Sequence, residues 1–191
     1  NHYNSLRLTK QKNYVIRDKK INFEDIERIF SSVKIKPEPT YAPFPQANAF
    51  VRVLDLLQAL YIENLDIEDI STRYDFDTRQ ANYYSAAARY LDLIYSDNGE
   101  FKLTEKGQKM MELNKRERNL ILVESILEHK IFYNAFKMFL SPGEVRVKDI
   151  AQMMFNNIDS IYNVSSKDTV ERRASTVFKW IKWILDLPEK S

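Results

Sequence analysis

The stretch Asp77-Thr-Arg-Gln-Ala-Asn-Tyr-Tyr-Ser-Ala-Ala-Ala-Arg-Tyr-Leu91, with Ser96-Asp-Asn-Gly99 and Glu100-Phe-Lys-Leu103 behind it, decides the fold. Asp77 with Gln80 three residues on makes an approximate capping box, so a helix is expected from there to about residue 95. Within it Ala81, Tyr84, Ala88 and Leu91 recur at helical spacing and define an inward face. Ser96-Asp-Asn-Gly99 is a turn signal, and the next four residues alternate polar and apolar, which predicts a hairpin. Thr104 is placed to cap a further helix ending near Asn114.

Upstream, Phe50, Val53, Leu54, Leu57, Leu60 and Tyr61 predict a helix over 46–63, and a short helix follows over 66–74. Helix, short helix, long helix and hairpin is the order of a winged helix-turn-helix. Before it, Lys36-Pro-Glu-Pro-Thr-Tyr-Ala-Pro-Phe-Pro45 carries too many prolines for a helix and reads as an extended connector. Asn22 can cap a helix over 22–32 with a Phe23, Ile26, Ile29, Phe30 and Val33 stripe. Downstream the order repeats in pattern: a helix over 115–139, a break at Ser141-Pro-Gly143, a short helix over 147–158, and a long one from Ser166 or Asp168 to about 187. The expected architecture is mainly α with small β wings, in two tandem winged-helix units. The divisions are an extended and helical segment over 1–45, a first unit over 46–114, and a second over 115–191 whose wing is truncated.

Composition narrows the function. The 191 residues contain no cysteine, three glycines and two histidines, His2 and His129. Disulfide frameworks, thiol nucleophiles and Cys-ligated zinc are excluded, and a His metal cluster or Gly-rich phosphate loop has no residues to build it. Neither a secretory leader nor an apolar membrane span is visible, so a cytoplasmic binding module is expected. The net charge of +2 is unevenly spread: residues 1–36 carry +5, 37–70 carry −5, 71–114 carry −1 and 115–191 carry +3. Local basic blocks matter because counterion release depends on the side chains that touch phosphate.

A helix that reads DNA needs an apolar face for its domain and an opposite face of Arg and short polar side chains for the major groove. The first long helix leaves Thr78, Arg79, Asn82, Tyr83, Ala86 and Arg89 outward. Arginine pairs with guanine O6 and N7, asparagine with adenine N6 and N7, and Ala86 leaves room for close approach. The second long helix has a Val170, Ala174, Val177, Ile181 and Ile184 core stripe, with Thr169, Arg172, Arg173, Thr176 and Lys179 opposite. Trp180 and Trp183 flank that stripe and are expected as core anchors with partnered N–H groups. Lys102, Lys179 and the N-terminal Arg7, Lys10, Lys12, Arg17, Lys19 and Lys20 are phosphate candidates. Glu100-Phe-Lys102 has the Glu-x-Lys spacing of a restriction-type nuclease site, but a helix, not a strand with a second acid, precedes it; both are expected as wing residues. His129, between Glu128 and Lys130, is expected to be structural. No catalytic set remains.

Asp77-Thr-Arg-Gln-Ala-Asn-Tyr-Tyr84, Leu103-Thr-Glu-Lys-Gly107 and Thr169-Val-Glu-Arg-Arg-Ala-Ser-Thr-Val177 with Trp180-Ile-Lys-Trp-Ile184 resemble the winged-helix DNA-recognition regions of type II restriction endonucleases, over residues 46–187. The resemblance implies a module that binds a short duplex sequence, with cutting done by a separate nuclease domain outside this chain. Mg2+ is then expected only in that domain, and no cofactor here. A winged-helix transcriptional regulator, with a dimer interface to match a two-fold operator, and a protein-interaction scaffold both stay open.

Overall fold

The computed structural model describes residues 20–190. Helix α1 (Phe23–Ser32) begins at Asn22, whose side chain accepts the Asp25 N–H at 2.9 Å while the Asp25 carboxylate accepts the Asn22 N–H at 3.1 Å. This reciprocal cap satisfies two orphan donors of the first turn. Residues 33–49 then run extended to α2 (Phe50–Ile62). Leu65 forms a single antiparallel bridge with Phe101, and α3 (Ile67–Tyr74) follows, opened by a capping box between Asp66 and Asp69.

Asp75, in the left-handed region at φ 51°, ends α3, and the Phe76 N–H donates to the Ser71 carbonyl at 2.9 Å. The turn to α4 (Thr78–Tyr90) is therefore only residues 75–77, the short connection of a helix-turn-helix. Asp77 and Gln80 form the expected capping box. Strands β1 (Ile94–Asp97) and β2 (Glu100–Leu103) pair antiparallel through a two-residue turn at Asn98 and Gly99, both at positive φ. Thr104 caps α5 (Glu105–Met111), its hydroxyl accepting the Gly107 N–H at 3.0 Å. Residues 50–111 thus form a winged helix-turn-helix, with Leu65 as the rudiment of a third strand.

The second half contains α6 (Lys115–Leu127), α7 (Lys130–Leu140), α8 (Val147–Phe155), a 3-10 turn at Ile158–Ser160, and α9 (Lys167–Lys190), which packs most extensively on α8. Among the described residues it does not repeat the helical order of the first half: four α-helices stand where three were expected, eleven residues separate α8 from α9, and there is no strand. Among the described residues the protein is mainly α with one small wing. Its buried apolar residues, from Ile21 to Leu187, make one continuous cluster.

Several helix boundaries differ from the sequence expectation: α2 starts at Phe50 rather than at 46, and α8 stops at Phe155 rather than at 158. The α4 helix stops at Tyr90 rather than near 95, because Asp92 turns left-handed (φ 57°) and the Asp92 and Leu93 N–H groups bond back to the Arg89 and Ala88 carbonyls. That is a Schellman closure, which asparagine and aspartate tolerate in place of glycine. The helix expected over 115–139 is two helices. Its break at Glu128 and His129 is stabilised from outside: the Lys36 N–H donates to the Glu128 carbonyl and the Lys36 ammonium to its carboxylate, each at 2.8 Å.

The proline-rich connector is part of the core. Phe44 is buried, its ring stacked 5.6 Å from Phe132 and edge-on to Tyr90 at 5.5 Å. The Trp180 N–H donates to the Ala47 carbonyl at 2.7 Å. Burying a side chain the size of Phe44 contributes about 2–3 kcal/mol, enough to hold the connector against both halves. Trp180 is fully buried and partnered, as expected of a core anchor.

Candidate nucleic-acid interface

The α4 helix stands against α2 and α3 on its Ala81, Ala88 and Ser85 side. Its first two turns present Thr78, Arg79 and Asn82 to solvent. The Arg79 Nε–H donates to the Tyr83 hydroxyl at 2.5 Å, with the guanidinium 5.4 Å from that ring's centre. Asn82 donates one amide hydrogen to the Thr78 carbonyl at 2.8 Å. These groups bond within their own helix, and among the described residues the Arg79 Nη groups and the Asn82 Oδ1 have no partner.

Further along α4 the outer face is covered. Tyr83, Ala86 and Arg89 are half-buried, and Arg89 donates from Nη2 to the Tyr41 carbonyl of the connector at 2.7 Å. Behind Arg89, the buried Tyr90 hydroxyl donates to Glu38 at 2.5 Å, and its ring stacks on His129 at 4.0 Å. Burial together with the Glu38 carboxylate pushes the Tyr90 phenol well above its ordinary range. His129 is buried and structural, starting α7 rather than lying inside a helix.

In the wing, the Lys102 ammonium bonds the Asp97 carboxylate at 2.7 Å across the strand pair, which holds its pKa above the usual lysine value. Lys102 is thus ion-paired within the wing, at a partly exposed surface, and Glu100 lies exposed on the same strand.

On α9 the outward set divides. Arg172 and Lys179 are exposed and Thr169 is half-exposed, as the spacing predicts. Arg173 and Thr176 are corrections. Thr176 is fully buried with its hydroxyl donating to Asn48 Oδ1 at 2.8 Å, and Arg173 donates to Gln46 Oε1 at 2.5 Å. The reason is that α9 buries a second side, Thr176 and Trp180, beneath the connector in addition to the Val170–Ile184 stripe. Burial lowers the Arg173 pKa, and the nearby Tyr83 offsets part of that.

This turn of Arg173 joins the two candidate sets. Asn82, Tyr83, Ala86 and Arg89 of α4, Arg173 of α9, and Pro43 and Gln46 of the connector line one cleft of about 300 Å3. Neither Arg89 nor Arg173 is ion-paired among the described residues; their bonds go to a carbonyl and an amide. Sequence reasoning missed Gln46, Asn48 and Tyr41, because nothing in a proline-rich run states which surface it will cover. Arg7, Lys10, Lys12, Arg17 and Lys19 lie outside the described residues, and Lys20 is exposed. Among the described residues no group of three or more acidic or histidine side chains is placed to hold a metal, and no helix is long and apolar enough to cross a membrane.

The molecule is a winged-helix protein whose helix-turn-helix leaves an arginine- and amide-bearing surface open. The chain belongs to a family described as a domain of unknown function, DUF7226, whose model matches residues 52–189. No curated protein and no solved structure matches it.

Proposed function

We propose that the chain is a sequence-specific double-stranded DNA recognition module, acting in the cytoplasm as part of a type II restriction endonuclease whose separate nuclease domain holds the Mg2+. The observation that supports this reading is the surface of α4: in a helix-turn-helix with a three-residue turn, the exposed first two turns carry Thr78, Arg79 and Asn82, which among the described residues bond only within their own helix. The N-terminal residues of a second helix are those that reach base edges in this motif. Arg79 is positioned to pair with guanine and Asn82 with adenine. Arg172, Lys179 and Thr169 at the exposed side of α9 extend the surface toward phosphates.

The test is selection of bound duplexes from a random pool at two salt concentrations. One enriched motif of several base pairs, retained at the higher salt, is the expected result. Binding without enrichment that collapses with salt would replace base reading with a phosphate grip. No binding would leave protein interaction as the use of the fold.

A further inference from the structure

The cleft between α4, α9 and the connector has a chemically mixed lining. Ala86, Pro43 and Phe101 contribute apolar surface, Tyr83 an aromatic ring, Asn82 and Gln46 two amides, and Arg89 and Arg173 two cations. A phosphate uses only donors and gains nothing from an apolar surface; a nucleobase uses a flat apolar face, amide donors and acceptors at its edge, and cations near its own phosphate. The volume of about 300 Å3 lies at the small end of ligand pockets. Position agrees with this. Asn82, Ala86 and Arg89 follow one another along a single side of α4, and Asn82 belongs both to the exposed reading surface and to the mouth of the cleft. A base displaced from the duplex beside those read by Arg79 therefore has a direct path into it.

We infer that this cleft receives one extrahelical base of the bound DNA, stacked against its apolar and aromatic side and recognised at its edge by Gln46, with Arg89 and Arg173 facing the flanking phosphates. The inference rests on the DNA-recognition reading and deepens it. Gln46 Oε1 already accepts from Arg173, and among the described residues its amide nitrogen has no partner and remains to donate.

Extrusion costs the pairing and stacking of one base, and a mismatch removes part of that cost in advance. The experiment uses the full chain and the duplex obtained by selection, with a single mismatch walked through every position. At one position the mismatched duplex should bind about tenfold tighter than the matched one, and 2-aminopurine placed there should change its fluorescence on binding. Ala86→Leu, which fills the cleft, should abolish the mismatch advantage. Matched duplex bound tightly, with every mismatch neutral or weakening, would overturn the inference and leave duplex recognition standing. Failure to select any duplex would overturn the recognition reading and the inference with it.

Discussion

Gly107→Ala is the substitution whose cost follows most directly from the geometry. A Cβ at this position would lie 2.2 Å from the Leu93 carbonyl oxygen, 3.2 Å from its carbon and 3.3 Å from Leu103 Cδ2. The obstacle is backbone at the start of the wing, not the tip of a flexible side chain. The same oxygen accepts the Thr104 N–H at 3.0 Å, and the Thr104 hydroxyl donates to the Asp92 carbonyl at 2.8 Å, so α5 cannot withdraw without loosening its own cap. Overpacking costs about 1–3 kcal/mol and a buried carbonyl losing its partner about 1–3 more, against about 1 kcal/mol gained from alanine's helix propensity. The net expectation is a loss of about 1–5 kcal/mol, centred near 3, or roughly 6–12 °C in Tm at that centre for a chain of this size. Urea unfolding at constant m, supported by thermal melting, measures it. Gly99→Ala is the control, since nothing lies within 4 Å of its added Cβ and only its φ of +88° is at stake; about 1 kcal/mol is expected there. An alanine at 107 as stable as wild type would refute the close approach of α5 to the wing.

Thr176→Val should lower stability by about 1 kcal/mol through loss of its bond to Asn48 while leaving duplex affinity unchanged, because the hydroxyl is buried; a binding defect without a stability change would place it on the DNA side after all. Lys179→Ala should weaken binding to all sequences and reduce the salt slope by about one, read by titrations at several salt concentrations. Asp25 supplies a pH dependence. Burial raises its carboxyl pKa, but the Asn22 N–H and the Arg116 guanidinium, 2.9 Å away, outweigh burial, so its pKa is depressed in the folded chain. A depressed carboxylate stabilises the fold fully above its unfolded value near 4 and loses that contribution as pH falls through the folded one. The stability gap between wild type and Asp25→Asn should therefore be full at pH 6 and shrink below about pH 4; a gap independent of pH would remove the charge from the account.

What the sequence made legible was local. Asn22, Asp77 and Thr104 cap where their side-chain chemistry says they should, and Asn98-Gly99 makes the hairpin, because each of these acts within three or four residues of itself. The exposed half of α4 was equally readable: a helical face not used by Ala81, Ala88 and Leu91 has to point elsewhere. What failed was set by distant chain. Glu128 ends its helix under Lys36, ninety-two residues away, and Arg173 and Thr176 turn inward to Gln46 and Asn48, more than one hundred and twenty residues upstream. A periodic stripe reveals one buried side of α9; it does not reveal that a connector covers a second. The ion pair of Lys102 was not legible for a nearer reason, since its partner Asp97 becomes a neighbour only after the hairpin forms.

The central claim is that α4 reads sequence, and the most direct measurement pairs Arg79 with a base. On the selected duplex, affinities for every single base-pair substitution are compared for wild type and Arg79→Ala. At one guanine position the wild type should lose about 1–3 kcal/mol on substitution and the variant almost nothing, with the other positions keeping their profile. Two profiles that differ only by a uniform offset would contradict base reading by Arg79 and return α4 to an ordinary wetted helix.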